Sequence, residues 1–175
     1  MDARDAWPDL PAFSSGSPFE FLSRYGRTAG WSDAVASGGF LGEIVLAATP
    51  AAVRPARSYV RELVGEYFAT DRSRLGDLEL LTSEAMTNSL MHAKPRRDGT
   101  LMLSALHIDR LVRVGVTDGG SRHEEPRAAD DPHAVNGWGL HLIEALATGY
   151  GTHRNLDGTA TFWFGAVISE RWKAP

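Results

Sequence analysis

A chain of 175 residues and 19.0 kDa holds one ordinary domain with room for an extra arm, and a chain of this size hides roughly two thirds of its unfolded surface. The net charge of −4 and pI near 5.8 argue against a dedicated nucleic-acid binder, which would carry a basic face. The lack of cysteine excludes disulfides and Cys-ligated zinc and fits a reducing cytoplasm. No apolar stretch approaches the ~20 residues that span a bilayer, and Met1-Asp-Ala-Arg-Asp-Ala-Trp-Pro8 lacks the basic start and apolar block of a secretion signal.

Residues 1–40 read as an N-terminal extension. Pro8, Pro11, Pro18, the Ser14-Ser-Gly-Ser run and Gly38-Gly39 interrupt any periodicity. Trp7, Phe13, Phe19, Phe21, Leu22, Tyr25 and Trp31 are nevertheless too many large apolar groups for a plain solvated linker. The segment is expected to be a partly ordered arm that docks on a partner or on its own domain.

Regular signals then define a domain over residues 41–170. Glu43 to Ala48 reads as a strand, Thr49-Pro50 punctuates it, and a helix follows with Pro55 in its first turn. Ala56, Tyr59, Val60, Leu63, Val64 and Tyr67 recur along that helix at helical spacing. Asp71 or Ser73 caps a second helix running to about Ala93, since Pro95 disfavours helix at Lys94. Leu101–Ile108 and Leu111–Asp118 form two strands joined by a tight Asp109-Arg110 hairpin. A polar loop over 119–136, a helix from Trp138 to about Thr148, and strands at Tyr150–Arg154 and Thr159–Ile168 complete the order. The order β-α-α-β-β-loop-α-β-β predicts an α/β fold of the α+β two-layer kind. Its mostly antiparallel, mixed sheet would be covered on one face by three helices.

The second helix carries Glu84-Ala-Met-Thr-Asn88-Ser-Leu-Met-His92. At about 100° per residue, Asp77, Leu81, Glu84, Asn88 and His92 share one sector, bordered by Leu78, Ala85 and Met91. Polar groups beside an apolar stripe cost several kcal/mol unless they gain partners, and a metal-bound phosphate would supply them. The Asn88 oxygen suits Mg2+, whose other positions would go to phosphates and water. Glu84, one turn away, can orient or deprotonate an incoming hydroxyl or water, and His92 could reach phosphate oxygens. A Glu and an Asn four apart are common on exposed helix edges, so this block alone carries little.

Val112, Val114, Val116 and Asp118 share a strand face, and three valines mark it as buried. A carboxylate ending that face beside Gly119-Gly120 can accept from an exocyclic amine such as that of adenine, or can simply start a turn. Gly137-Trp138-Gly139-Leu140 opens the third helix, where glycines let backbone approach a ligand and free N–H groups favour phosphate. Trp138 could cover a nucleotide or pack on the loop. Ser121 to Asn136 reads as a mobile cover. Thr161 could help fix the base or be an ordinary strand threonine.

Each block is weak alone, but in this order and spacing they point to ATP. They resemble the N box and two glycine boxes of the GHKL or Bergerat ATP-binding fold, shared by histidine kinases, gyrase-type ATPases and heat-shock chaperones. The closest likeness is to the stand-alone anti-sigma-factor serine/threonine kinases, carried by Ala56-Arg-Ser-Tyr-Val-Arg-Glu-Leu-Val64 before the N box and Gly139-Leu-His-Leu-Ile-Glu-Ala-Leu-Ala147 after the loop. It covers about residues 43–168.

The resemblance implies Glu84 as catalytic base, Asn88 as Mg2+ ligand, Asp118 as adenine reader and Gly120 in the base pocket. Gly137, Gly139 and Leu140 would contact phosphates. It implies transfer of the γ-phosphoryl group of ATP to an anti-anti-sigma (STAS) protein, sequestration of a sigma factor, and possible homodimers, with no direct nucleic acid or membrane contact. Two positions depart from the pattern: Arg122 stands where a further glycine is usual, and Trp138 where an arginine is common. The alternative is a non-catalytic, ATP-gated protein-binding module. A two-component histidine kinase fits less well, because no helix pair with a phosphoacceptor histidine precedes the domain.

Overall fold

Alternation puts Val112, Val114 and Val116 on one side of their strand, and the neighbouring strands repeat the pattern. The computed structural model describes residues 39–108, 111–120 and 138–168. The expected arm over 1–38, the Asp109-Arg110 turn and the cover over Ser121–Asn136 lie outside the described residues. Five strands form one sheet: β1 (Gly39–Ala47), β2 (Thr100–Ile108), β3 (Leu111–Asp118), β4 (Gly149–Arg154) and β5 (Ala160–Val167). Their spatial order is β1-β2-β3-β5-β4, and all four pairings are antiparallel.

The register sets one apolar face. Leu103 lies opposite Val116, and Val112, Val114 and Val116 lie opposite Ala166, Phe164 and Phe162. Against this face pack α1 (Val53–Tyr67), α2 (Arg72–His92) and α3 (Trp138–Leu146). The result is the expected two-layer arrangement, and it belongs to the α/β class. Ala56, Val60 and Val64, four residues apart along α1, are fully buried. Phe68, just past α1, and Phe164 are buried too, and each such side chain contributes about 1.5–3 kcal/mol.

Asp71, not Ser73, caps α2, accepting a hydrogen bond from the Arg74 N–H at 2.8 Å. The helix stops at His92 because Ala93 is already extended two residues before Pro95. Its buried stripe is Leu78, Leu81, Thr82, Ala85, Met86 and Ser89. Met91, expected with Leu78 and Ala85 to border the sector of Glu84 and Asn88 as part of the apolar stripe, is instead 65% exposed. Nine residues from Thr82, it projects from the opposite side of the helix.

The first strand starts at Gly39, earlier than the Glu43 expected from sequence. Gly39 and Phe40 pair with His107 and Leu106, and a bulge between Phe40 and Gly42 absorbs the irregularity. Gly42 lies close under α1: an added Cβ would sit 2.5 Å from the Tyr59 hydroxyl, which would have to shift.

Candidate functional site

The C-terminal end of α2 and the end of β3 are tied together. The Gly119 N–H donates to the Lys94 carbonyl at 2.7 Å, and a Cβ on Gly119 would strike the Pro95 carbonyl oxygen. Only a glycine lets the strand end pass this close beneath the helix–strand connection. Asp118 is thereby fixed at the sheet's end, 5% exposed, with its Oδ1 accepting from the Gly120 N–H at 2.8 Å. Gly120 has φ of +87°, the region that favours glycine, and faces the Gly158 carbonyl of the β4–β5 turn. Burial pushes the Asp118 pKa up, while the Gly120 N–H and the nearby Ser89 hydroxyl pull it back.

Glu84 and Asn88 sit on the flank of the α2 stripe, both half-buried, on the side that α3 covers. Neither side chain makes a hydrogen bond or ion pair among the described residues. Desolvation alone raises the Glu84 pKa. A Cβ on Gly139 would collide with Glu84 Oε2, so the second residue of α3 must be glycine for the carboxylate to lie there. The arrangement brings an unpaired acid, an unpaired amide and the N-terminal turn of a helix to one place. Such a turn offers free N–H groups and a positive dipole end to an anion.

The other expected residues divide. Leu140 is 8% exposed and belongs to the core, so its backbone, not its side chain, is what a ligand can meet. His92 is exposed on the last turn of α2. Trp138 is the first residue of α3, with its side chain outside the described set, as is Gly137 altogether.

Thr161 is a correction. It pairs with Thr117, whereas Asp118 pairs with Ala160, so alternation sends the Thr161 side chain to the sheet face away from the helices. Its hydroxyl is engaged there with Thr117 Oγ1 at 2.8 Å and Asn155 Nδ2 at 3.1 Å. The same face carries Arg113, stacked 4.2 Å above the Trp163 ring.

Ser89 was not anticipated. It is 2% exposed, its Oγ closes no hydrogen bond of good geometry, and it lies beside Asp118. The sequence held a signal for it: a hydroxyl four residues after Ala85, inside the apolar stripe and directly following Asn88.

No helix among the described residues is long and apolar enough to cross a membrane. No cluster of three or more His, Cys, Asp or Glu among the described residues would hold a metal. A search of curated proteins found no match. The sequence profile of a family described as histidine kinase-like ATPase domain matches residues 46–162, more than half of the chain. That span runs from the end of β1 into β5 and takes in Glu84, Asn88, Asp118 and Gly139. Within it, Glu84 and Asn88 lie on the α2 flank, Asp118 at the end of β3 and Gly139 in the first turn of α3. This chain belongs to the histidine kinase-like ATPase domain family, whose domains imply ATP binding.

Proposed function

We propose that the protein is an ATP-dependent serine/threonine kinase that acts as an anti-sigma factor, with a STAS-domain anti-anti-sigma protein as its phosphorylation target. The observation that carries this reading is the Glu84 carboxylate, unpaired among the described residues, raised in pKa and lying against the first turn of α3. A raised pKa makes a carboxylate a better base near neutral pH.

The residues present fit MgATP. Asp118 is buried at the end of β3 beside Ser89, and Asn88, which makes no hydrogen bond among the described residues, would offer its amide oxygen to Mg2+. The backbone at Gly137, Trp138, Gly139 and Leu140 would hold phosphates through the helix N-terminus. Bound MgATP supplies a γ-phosphoryl group whose charge the metal neutralises. Glu84 takes the proton from a Ser or Thr hydroxyl of the partner, whose oxygen attacks the γ-phosphorus as the bond to the β-phosphate oxygen breaks and ADP leaves. Gly139 leaves room for the Glu84 carboxylate beside the first turn of α3.

Incubation with MgATP and a candidate STAS protein is expected to give phosphoprotein, and Glu84→Ala to abolish it. Transfer undiminished in Glu84→Ala would remove the assigned base.

A second reading has support in Arg122 and Trp138, which depart from the pattern of the kinase subgroup. There the protein is an ATP-gated clamp that binds its partner without phosphorylating it. Stoichiometric transfer to any bound partner would exclude it. An affinity pull-down with and without MgATP, followed by mapping of phosphosites, decides between the two and identifies the sigma factor.

A further inference from the structure

We propose that the sheet face turned away from the helices is the docking surface for the chain's own N-terminal segment, residues 1–38. The proposal is independent of the nucleotide reading.

That face has the wrong chemistry for open water. On it Phe40 stands beside Leu106 and Val45 beside Met102, while Trp163 lies between Gly115 and Gly151. An antiparallel sheet with one solvated face alternates apolar with polar side chains. Here, among the described residues of β1 and β2, Glu43 alone brings a charge to the outer side. At the rims Val45 and Val167 are 51% and 43% exposed. On β3 and β5, further in, Leu111, Thr117 and Thr161 are only 8%, 5% and 8% exposed. Burial also lowers the pKa of Arg113, on the same face, to about 10. All three helices pack on the other side, and Leu111 lies outside the core they share with the sheet. No described element supplies this cover.

The position and content of residues 1–38 name the occupant. The segment joins the sheet at Gly39, and the next residue, Phe40, already turns its side chain to the outer face beside Leu106. Crossing five strands takes about 19 Å, which about six extended residues span. Phe19, Phe21, Leu22, Tyr25 and Trp31 all fall within that reach of the sheet, with chain to spare. They supply the large apolar groups that the face lacks a partner for. A second copy of the chain would compete with a segment tethered at the rim, whose effective concentration is on the order of millimolar. With this face occupied, a protein partner meets the helical side, where Glu84 and the start of α3 lie.

The test uses the full chain. Met102 is replaced by the photo-crosslinking residue p-benzoylphenylalanine, and the protein is irradiated at two concentrations about tenfold apart. Cross-linked peptides are then mapped by mass spectrometry. Met91, exposed on α2, carries the same group as a control. Links from position 102 to residues 1–31 within one chain are expected, with a yield that dilution leaves unchanged and with none from position 91. Links between chains that fade on dilution overturn the proposal in favour of a second copy. Links to 121–137 or 169–175, equal capture from position 91, or no link to the segment overturn it as well. A second variant, Val45→Lys, places a charge at the rim of the surface. It should speed chymotrypsin cleavage after the aromatic residues of 1–38 by about threefold or more, with the circular dichroism of the domain unchanged. Equal cleavage of parent and variant counts against the docking.

Discussion

The Glu84 carboxylate occupies the space that a side chain on Gly139 would need. This contact joins the middle of α2 to the first turn of α3. Alanine is favoured over glycine in a helix by about 1 kcal/mol, so propensity would improve in Gly139→Ala. We expect the variant to fold but to bind MgATP at least about tenfold more weakly, a loss of about 1.4 kcal/mol. Calorimetry with a circular dichroism melt checks both halves. Unchanged affinity would show that Glu84 moves aside at no cost and that its position against α3 is incidental.

Burial raises the Glu84 pKa, so the folded protein holds this proton more tightly than the unfolded chain does. The destabilisation is absent where both folded and unfolded chains are protonated, and it grows as pH rises through the folded pKa. Glu84→Gln removes it. The variant is expected to be more stable than the parent at neutral pH, with the gain vanishing near pH ~4. Urea unfolding across this range measures it, and a gain that persists at low pH would trace to something other than the charge. Nucleotide binding should survive in this variant while transfer to a partner is lost.

Asp118 follows the same direction, since burial outweighs the Gly120 N–H and Ser89 and raises its pKa. Asp118→Asn is expected to stabilise the ligand-free protein above the carboxylate range and to weaken MgATP by about tenfold or more, because an amide in place of the second oxygen no longer accepts as a charged group. An Asp118→Asn protein with parental affinity would place the base elsewhere.

Thr161 gives the opposite pattern. Thr161→Val breaks the bonds to Thr117 and Asn155 on the sheet face away from the helices, at a cost of about 1–3 kcal/mol in stability. Its effect on MgATP affinity should stay within about twofold. Tenfold weaker binding would return Thr161 to the base pocket.

Much of this fold was legible in the chain because its periods are clean. The valines of 112–116 and the spacing of Ala56, Val60 and Val64 name strand and helix directly. Gly39 was read as a breaker and became strand, because pairing with His107 outweighs local preference. Thr161 could be read as a base contact or as an ordinary strand threonine, and register against Thr117 turns it to the face away from the helices. A shift of one residue inverts every side chain of a strand, and no local signal sets that register.

The sequence by itself determined the residue types that make the site: an acid and an amide one helical turn apart, a carboxylate ending an apolar strand, glycines where a helix begins. It did so because period and residue chemistry are local properties. Only the tertiary structure decided that Glu84 rests against Gly139, that Gly119 passes under Lys94, and that Ser89 lies beside Asp118. Those relations join residues far apart in the chain. They are set by how α2 lies across the sheet and by where α3 closes on its flank, which packing of the whole core fixes.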